Sequence, residues 1–242
     1  LLFSCQEEKE KQPTLFQEIE PVSSGVDFRN DLSFDEEFNV FTYRNYYNGG
    51  GVAIGDINND GLADLYFTAN LGQNKLYLNK GDFKFEDITE KAGVAGTRAW
   101  STGVAMADVN GDGLKDVYLG GAKGSAGQLF LQSSNGTFTK SNQQAFELDK
   151  VAEDTDAIFF DANGNGLLDL YVCSGGTEYG LYFPLLQDRL YINQGVGTFE
   201  KAEDALPDLT GNNGVVLAHD FDGDGKIDLF VGGKSIPDQY GL

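Results

Sequence analysis

The nine residues Asp56–Asp64, DINNDGLAD, are the first of four copies of one sequence motif in this chain. The other copies are DVNGDGLKD at Asp108–Asp116, DANGNGLLD at Asp161–Asp169 and DFDGDGKID at Asp220–Asp228. Every copy has oxygen-bearing side chains at positions 1, 3, 5 and 9 and glycine at position 6. Alternate side chains can converge while such a loop curls, and glycine tolerates the backbone angles of the sharpest bend. The motif predicts a calcium-binding loop, because Ca²⁺ takes about 6–8 oxygen ligands.

The predicted ligands are the side chains at positions 1, 3, 5 and 9 and the backbone carbonyl at position 7. They are Asp56, Asn58, Asp60, Leu62 and Asp64; Asp108, Asn110, Asp112, Leu114 and Asp116; Asp161, Asn163, Asn165, Leu167 and Asp169; and Asp220, Asp222, Asp224, Lys226 and Asp228. The third loop is predicted to bind most weakly, since only two of its ligands are charged. Any one loop could also be an Asx turn without an ion. Four copies in phase favour calcium.

The sequence around the loops excludes a helix–loop–helix calcium site. Such a site ends in a bidentate glutamate at position 12, whereas this chain has Phe67, Leu119, Val172 and Val231 there. Short runs rich in β-branched and aromatic residues flank each loop, as in Gly51–Gly55 before the first loop and Leu65–Thr68 after it. These runs predict strands.

The repeat extends beyond the loop. Two further predicted strands follow in each of the first three copies, the first of them at Lys75–Asn79 and Phe85–Thr89. The first aspartates of the loops recur every 52 to 59 residues. Four-stranded units at this period predict an all-β fold, a β-propeller whose blades carry the calcium loops. A β-sandwich and a solenoid remain alternatives, because strand order is not fixed by the sequence.

The unit resembles the FG-GAP (VCBS) repeat, the calcium-binding propeller blade of integrin α-subunits and many bacterial surface proteins. The stretch Tyr47–Tyr66, YNGGGVAIGDINNDGLADLY, is also similar to the opening of bacterial cartilage-acidic-protein-like (ASPIC/UnbV-associated) surface lipoproteins. The resemblance covers residues 48–242, about four-fifths of the chain. It implies a propeller of seven blades, of which this chain would hold about three and a half as a fragment of a longer protein.

Three segments are predicted along the chain. Residues 1–12 are a signal remnant and an acidic tether, residues 13–47 an aromatic-rich lead-in, and residues 48–242 the repeats, with units at about 48–97, 98–150, 151–210 and 211–242. The start, LLFSC, resembles the end of a bacterial lipoprotein signal, which implies acylation of Cys5 and a location at the outer membrane or cell surface. A clipped secretory peptide, or a chance cysteine near a ragged end, is the alternative. The chain would then be secreted.

The composition fits a setting outside the cytoplasm. The formal charge is −21 at pH 7, and the four loops contribute twelve carboxylates. This acidity argues against nucleic acid as a partner, since nucleic-acid binding leaves a basic footprint. If Cys5 is acylated, Cys173 has no disulfide partner and is predicted to be a buried apolar residue. Membrane attachment is expected only through Cys5.

The sequence predicts no catalytic site. The one histidine, His219, precedes a predicted metal ligand, and no G-x-S-x-G or H-E-x-x-H motif occurs. The aromatic lead-in is interpreted as packing on the propeller or supplying a closing strand, with a binding platform as the alternative. Candidate contact residues lie in loops, where propellers tend to carry function. They are Arg98, Trp100, Tyr179, Tyr182 and Phe183.

Taken together, these features predict a calcium-stabilised binding or assembly module of a secreted or surface-anchored lipoprotein, with a protein or glycan as ligand. The resemblance implies adhesion or participation in an outer-membrane complex. One alternative is that the chain is the non-catalytic part of a larger extracytoplasmic enzyme. Another is a periplasmic structural subunit, which would follow if the lipid signal were spurious.

Overall fold

The structure is a computed structural model that describes residues 14–96, 100–122, 124–176, 180, 183–208 and 210–236. Within these residues the protein is all-β, with three four-stranded antiparallel sheets and one two-stranded sheet. The first sheet contains β1 (Val52–Gly55), β2 (Asp64–Phe67), β3 (Lys75–Asn79) and β4 (Phe85–Asp87). The second contains β5 (Ser101–Ala107), β6 (Asp116–Gly121), β7 (Gln128–Gln132) and β8 (Phe138–Ser141).

The remaining strands repeat the same order. The third sheet contains β9 (Asp154–Phe160), β10 (Asp169–Ser174), β11 (Arg189–Asn193) and β12 (Phe199–Lys201), and the fourth β13 (Asn212–His219) and β14 (Asp228–Ser235). Neighbours in sequence are neighbours in each sheet. Every predicted calcium loop joins the first strand of a sheet to the second, so that Gly55 pairs with Asp64 and Ala107 with Asp116.

The sheets are arranged as the blades of a propeller. The first strands β1, β5, β9 and β13 contact one another in turn, which places them innermost around a shared axis. Their approach is close: a Cβ on Gly103 would lie 2.8 Å from the Cα of Asp156 in the next blade. The propeller prediction is confirmed, and the sandwich and solenoid alternatives are wrong. The total of seven blades and the segment boundaries stay predictions.

The core lies between neighbouring blades. The central strands β6 and β10 are buried along their whole length because another blade covers each of their faces. Tyr66 and Leu76 of the first blade meet Val117 and Phe130 of the second in one apolar cluster. In the cluster between the third and fourth blades Cys173 is fully buried, as predicted for an apolar residue.

A buried ion pair within the third blade is hydrogen-bonded to the second blade. Arg189 Nη2 donates to Asp154 Oδ1 at 2.5 Å, and both side chains are shielded from solvent. The other oxygen of Asp154 accepts from the hydroxyl of Tyr118 at 3.0 Å and from the backbone N–H of Gly121 at 2.8 Å. The carboxylate therefore has a partner on each oxygen, as a buried charge requires.

Side-chain amides connect the first and second loops to the blade that follows each of them. Gln132 Nε2, at the end of β7, donates to the carbonyl of Ile57 in the first loop at 2.8 Å. Asn193 Nδ2, at the end of β11, donates to the carbonyl of Val109 in the second loop at 2.7 Å. The backbone carbonyl at position 2 of each of these two loops thus accepts a hydrogen bond from the blade that follows.

The aromatic lead-in packs on the propeller, as interpreted from the sequence, and its described residues, 14–47, contribute no strand. Phe38, Tyr43 and Tyr46 surround Trp100, with ring centroids 5.1 to 5.6 Å from the indole. Phe28 stacks on Phe67 of β2 at 4.9 Å. The segment thus covers one end of the innermost strands.

Helices play a minor part. They are α1 (Pro21–Ser24), α2 (Thr89–Ala92) and α3 (Gln144–Leu148), with 3-10 turns at Arg44–Tyr47 and Pro184–Leu186. The sequence analysis did not predict α2 and α3, which each follow the last strand of a blade. Among the described residues no helix has the length and apolar character needed to cross a membrane.

Candidate metal centres and contact surfaces

The four loops share two left-handed backbone positions. Glycine at position 6 has φ between 83° and 85° in every loop, at Gly61, Gly113, Gly166 and Gly225. Position 4 is also left-handed, at Asn59, Gly111, Gly164 and Gly223. The sequence analysis predicted the left-handed glycine at position 6 but not the left-handed residue at position 4. Position 4 could have been recognised because every copy has asparagine or glycine there, the residues that best tolerate this conformation.

The aspartate at position 1 organises each loop. Asp56 Oδ1 accepts the N–H of Asp60 at 3.1 Å, and Asp56 Oδ2 accepts the N–H of Gly61 at 2.8 Å. The same two bonds recur at the other three position-1 residues, Asp108, Asp161 and Asp220. Donation from the glycine amide at position 6 lowers the pKa of Asp56 and of Asp161. These carboxylates are therefore held in the anionic form that a cation needs.

The carboxylates at positions 1, 3 and 5 converge in the fourth loop. In the fourth loop, Asp220, Asp222 and Asp224 each offer a carboxylate oxygen, and the three oxygens lie within 4.8 Å of one another. Three negative groups this close repel in the absence of a cation. Hard oxygen donors on a flexible loop match the preference of Ca²⁺, so the residues present fit this metal.

Asparagine keeps the loop geometry with less charge. In the first loop Asn58 Nδ2 donates to Asp60 Oδ2 at 2.9 Å, so these two side chains are neighbours. In the third loop Asn165 Oδ1 accepts the N–H of Leu167 at 2.8 Å, as Asp60 does from Leu62. The third loop therefore has the shape of the others but only two carboxylates. Its weaker binding stays a prediction.

The aspartate at position 9 has a role that the sequence analysis missed. Asp116 is fully buried, and its two oxygens accept the N–H of Val109 at 3.0 Å and the N–H of Gln132 at 2.8 Å. It therefore anchors its loop to the end of the third strand. Burial raises the pKa of Asp116 to about 6. Asp64 and Asp169 make the equivalent bonds.

The ligand role expected for position 9 stays a prediction beside this anchoring role. Asp228 accepts the N–H of Phe221 at 3.1 Å, and it is not a member of the close group formed by positions 1, 3 and 5 of its own loop. At position 7, Leu62, Leu114 and Lys226 donate their N–H groups to position 5. Their carbonyls as metal ligands likewise stay predictions.

The candidate contact residues are only partly described. Trp100 was expected at a contact surface, and that expectation is wrong, because the lead-in covers its side chain and leaves 5% exposed. Phe183 is 42% exposed, just before the 3-10 turn Pro184–Leu186. The other predicted residues, Arg98, Tyr179, Tyr182 and the lipidation candidate Cys5, lie outside the described residues.

Comparison with known proteins identifies relatives of this chain. Cartilage acidic protein 1 of Xenopus tropicalis is 32% identical over 194 residues, which cover 77% of this chain and 29% of that protein. The human protein of the same name is 27% identical over 190 residues, covering 77% and 28%. Integrin alpha-PS5 of Drosophila melanogaster is 30% identical over 152 residues, covering 54% and 15%. The chain thus spans less than a third of these relatives.

The repeat itself matches a known family. The family described as FG-GAP-like repeat matches residues 56–119, 108–172 and 179–231. These segments cover more than half of the chain and contain all four loops. The chain therefore belongs to the FG-GAP-like repeat family.

Proposed function

We propose that this chain is a calcium-stabilised propeller module that binds a protein or glycan outside the cytoplasm. The observation that carries the proposal is the convergence of three carboxylates in the fourth loop, on a backbone that the other three loops repeat. Membership of the FG-GAP-like family and similarity to an integrin alpha and to cartilage acidic protein 1 support an extracytoplasmic interaction module. In this proposal the chain is not itself an enzyme.

Calcium would act on stability. Each loop connects the innermost strand of a blade to the second strand, so a cation held by positions 1, 3 and 5 would fix the angle at which that hairpin turns. It would also remove the repulsion among neighbouring carboxylates. Because an unfolded chain has no preformed site, the free energy of binding adds to the free energy of folding.

The first test is thermal unfolding of the purified chain in excess EGTA, in millimolar Ca²⁺ and in millimolar Mg²⁺. A calcium concentration one hundred times the Kd stabilises the fold by about 2.7 kcal/mol per independent site. We expect a large rise in Tm with Ca²⁺ and a much smaller one with Mg²⁺, which demands a more rigid octahedral site. The same Tm in all three buffers would refute the proposal.

A second test compares the loops. Asp108→Ala is expected to remove a larger part of the calcium-dependent rise in Tm than Asp161→Ala, because the second loop has one more carboxylate. Asn165→Asp is the complementary change. It adds the missing charge at a position whose backbone geometry already matches the other loops, and should raise the affinity of the third loop. Equal losses for both alanine variants, with no gain from Asn165→Asp, would contradict the dependence on charge.

We also propose a lipid anchor at Cys5, which would place the module at a bacterial outer membrane or cell surface and make it available to a membrane complex. The support is the LLFSC sequence and the acidic tether that follows it. Expression of the complete reading frame in a bacterium fed an alkyne-tagged fatty acid tests this. The label should appear on the wild-type protein and be lost from Cys5→Ser. An unlabelled wild-type protein in the culture medium would favour secretion instead.

A further inference from the structure

A groove in the lead-in, called here the lead-in groove, gathers aromatic side chains that the fold leaves in contact with water. Its volume is about 550 Å³. It is lined by Phe34, Phe41 and Tyr47, which are 73%, 93% and 63% exposed. Val40 adds further apolar surface. Single exposed apolar residues are ordinary at protein surfaces, whereas several large rings around one groove are typical of an interaction site.

The three groove rings are not the ones that hold the lead-in on the propeller. The ring contacts with Trp100 come from other residues of the lead-in. Of the groove rings, only Tyr47 contacts another ring of the described residues, that of Tyr46 at 5.1 Å. No two of the groove rings stack on each other there, so the space between them is open to a guest.

Hydrogen bonds fix the backbone of the groove. Asp35 Oδ1 accepts the N–H groups of Glu37 at 2.9 Å and of Phe38 at 2.7 Å. Asn39 Nδ2 donates to the carbonyl of Asp35 at 2.8 Å, and Asn39 Oδ1 accepts the N–H of Phe41 at 2.9 Å. These successive turns hold the backbone of Phe41 in place before a partner arrives. A preorganised surface loses less conformational entropy when it binds.

The groove is also acidic. Asp35 and Glu36 line it and Glu37 follows them, and all three residues are exposed. None of the ion pairs among the described residues involves these three carboxylates. Residues 14–47 contain seven carboxylates but only two arginines and no lysine. The groove therefore presents apolar rings together with negative charge that no basic side chain neutralises.

This combination favours a partner that is both cationic and apolar. Complementary charge steers the encounter of two proteins and suppresses wrong partners, so the carboxylates disfavour an anionic ligand or an acidic lipid surface. The guanidinium of arginine suits the groove better than an ammonium group, because it stacks on aromatic faces and is more weakly hydrated. A second copy of the chain is a poor occupant, since each copy has a formal charge of −21.

We propose that the lead-in groove binds a segment of another protein in which an arginine adjoins aliphatic residues. The guanidinium would lie against the exposed rings and beside the carboxylates of Asp35 and Glu36, and the aliphatic neighbours would cover the remaining apolar surface. The inference rests on the proposed function, whose partner it assigns to one chemical class. It does not require calcium to occupy the loops.

The test begins with phage-displayed random dodecapeptides selected on the immobilised full chain, with and without counter-selection on a Phe34→Ser, Phe41→Ser double variant. Peptides that survive counter-selection should be enriched in arginine next to leucine, isoleucine or valine and depleted in acidic residues. One of them is then synthesised with a fluorescent label, and its Kd is measured by fluorescence anisotropy.

The Kd should respond to both partners. Phe41→Ser should weaken binding at least about tenfold, a difference of about 1.4 kcal/mol. Replacing the arginine of the peptide by citrulline, its neutral analogue, should have a similar effect. Glu36→Gln should weaken binding about threefold or more, and the wild-type Kd should rise with the concentration of NaCl because exposed charges are screened by salt.

Two variants serve as matched controls. Phe16→Ser removes an exposed aromatic residue of the lead-in that does not line the groove, and Glu200→Gln removes an exposed carboxylate from β12. Both should leave the Kd unchanged. Because the altered groove side chains are exposed, the Tm of each groove variant should stay close to that of the wild type.

Three results would overturn the proposal. One is that no peptide survives counter-selection although peptides are selected without it, which would keep the interaction function but place it elsewhere on the chain. Another is that the selected peptides lack arginine or bind equally well with citrulline, which would identify a purely apolar surface. The third is that no peptide is selected at all while neutral glycans bind and are lost in Phe41→Ser, which would assign the groove to glycans. A chain that binds neither peptides nor glycans would contradict the proposed function itself.

Discussion

Replacing Asp116 by asparagine separates the two roles of position 9, the backbone anchor seen in the structure and the predicted metal ligand. Both oxygens of Asp116 accept backbone N–H groups, from Val109 at 3.0 Å and from Gln132 at 2.8 Å. Asparagine has the same shape but only one acceptor oxygen. In Asp116→Asn the side-chain NH₂ therefore faces one of the two N–H donors, which loses its partner in a fully buried position.

The expected cost follows from these contacts. A buried donor left unsatisfied costs about 1–3 kcal/mol, and exchanging a charge-assisted bond for a neutral one at the other oxygen removes roughly 1 kcal/mol more. The removal of a buried charge offsets part of this, because burial already raises the pKa of Asp116 to about 6. We expect a net loss of about 2–3 kcal/mol without calcium, which corresponds to a Tm lower by about 5–10 °C for a chain of this size.

The assay is thermal unfolding followed by circular dichroism in excess EGTA, with Asp112→Asn as the matched control. Asp112 is an exposed position-5 residue of the same loop, and its Oδ1 accepts one backbone N–H, from Leu114 at 2.9 Å. In EGTA the control should lose less than about 1 kcal/mol, whereas in millimolar Ca²⁺ it should lose much of the gain that calcium gives. An Asp116→Asn protein as stable as the wild type in EGTA would refute the anchoring role.

Three further predictions concern the core. Asp154→Ala should destabilise the protein by about 3–5 kcal/mol, because it leaves the buried guanidinium of Arg189 without its carboxylate; a loss below about 1 kcal/mol in urea unfolding would contradict this. Trp100→Ala should cost about 3–5 kcal/mol and speed proteolysis within residues 28–47; an unchanged cleavage rate would show that the lead-in is held by other contacts. In a Cys5→Ser background, Cys173 should react with a thiol reagent only after denaturation, because burial raises its pKa and blocks access; rapid labelling of the folded protein would mean that its blade opens.

The strands of the blades and the positions of the loops could be predicted from the sequence because their signals are local. The run predicted at Lys75–Asn79 forms β3 with the same bounds, and the run predicted at Phe85–Thr89 contains β4. Alternating β-branched and aromatic residues between glycine-rich turns contain this information within a few residues. The left-handed conformation of the glycine at position 6 could also be predicted, since its backbone angle depends only on residues of its own loop.

The features that were missed depend on contacts between distant residues. Trp100 lies in a connection, which favours exposure, but aromatic residues more than 50 positions earlier cover it. The anchoring by Asp116 involves Gln132, 16 residues further on. The lead-in divides between inward rings such as Tyr46, which is fully buried, and outward rings such as Phe41, which is 93% exposed. Nothing in their spacing separates the two groups.

The amides of Gln132 and Asn193 both come later in the chain than the loop carbonyls to which they donate, and this has a consequence for biosynthesis. The carbonyl of Ile57 receives its donor from a residue 75 positions later, and the carbonyl of Val109 from one 84 positions later. At about 5–20 residues per second, a ribosome delivers each donor roughly 4 to 17 seconds after the carbonyl it serves. During that interval the earlier loop keeps this carbonyl hydrated. Each of these two loops therefore gains this hydrogen bond only after the third strand of the following blade has been translated.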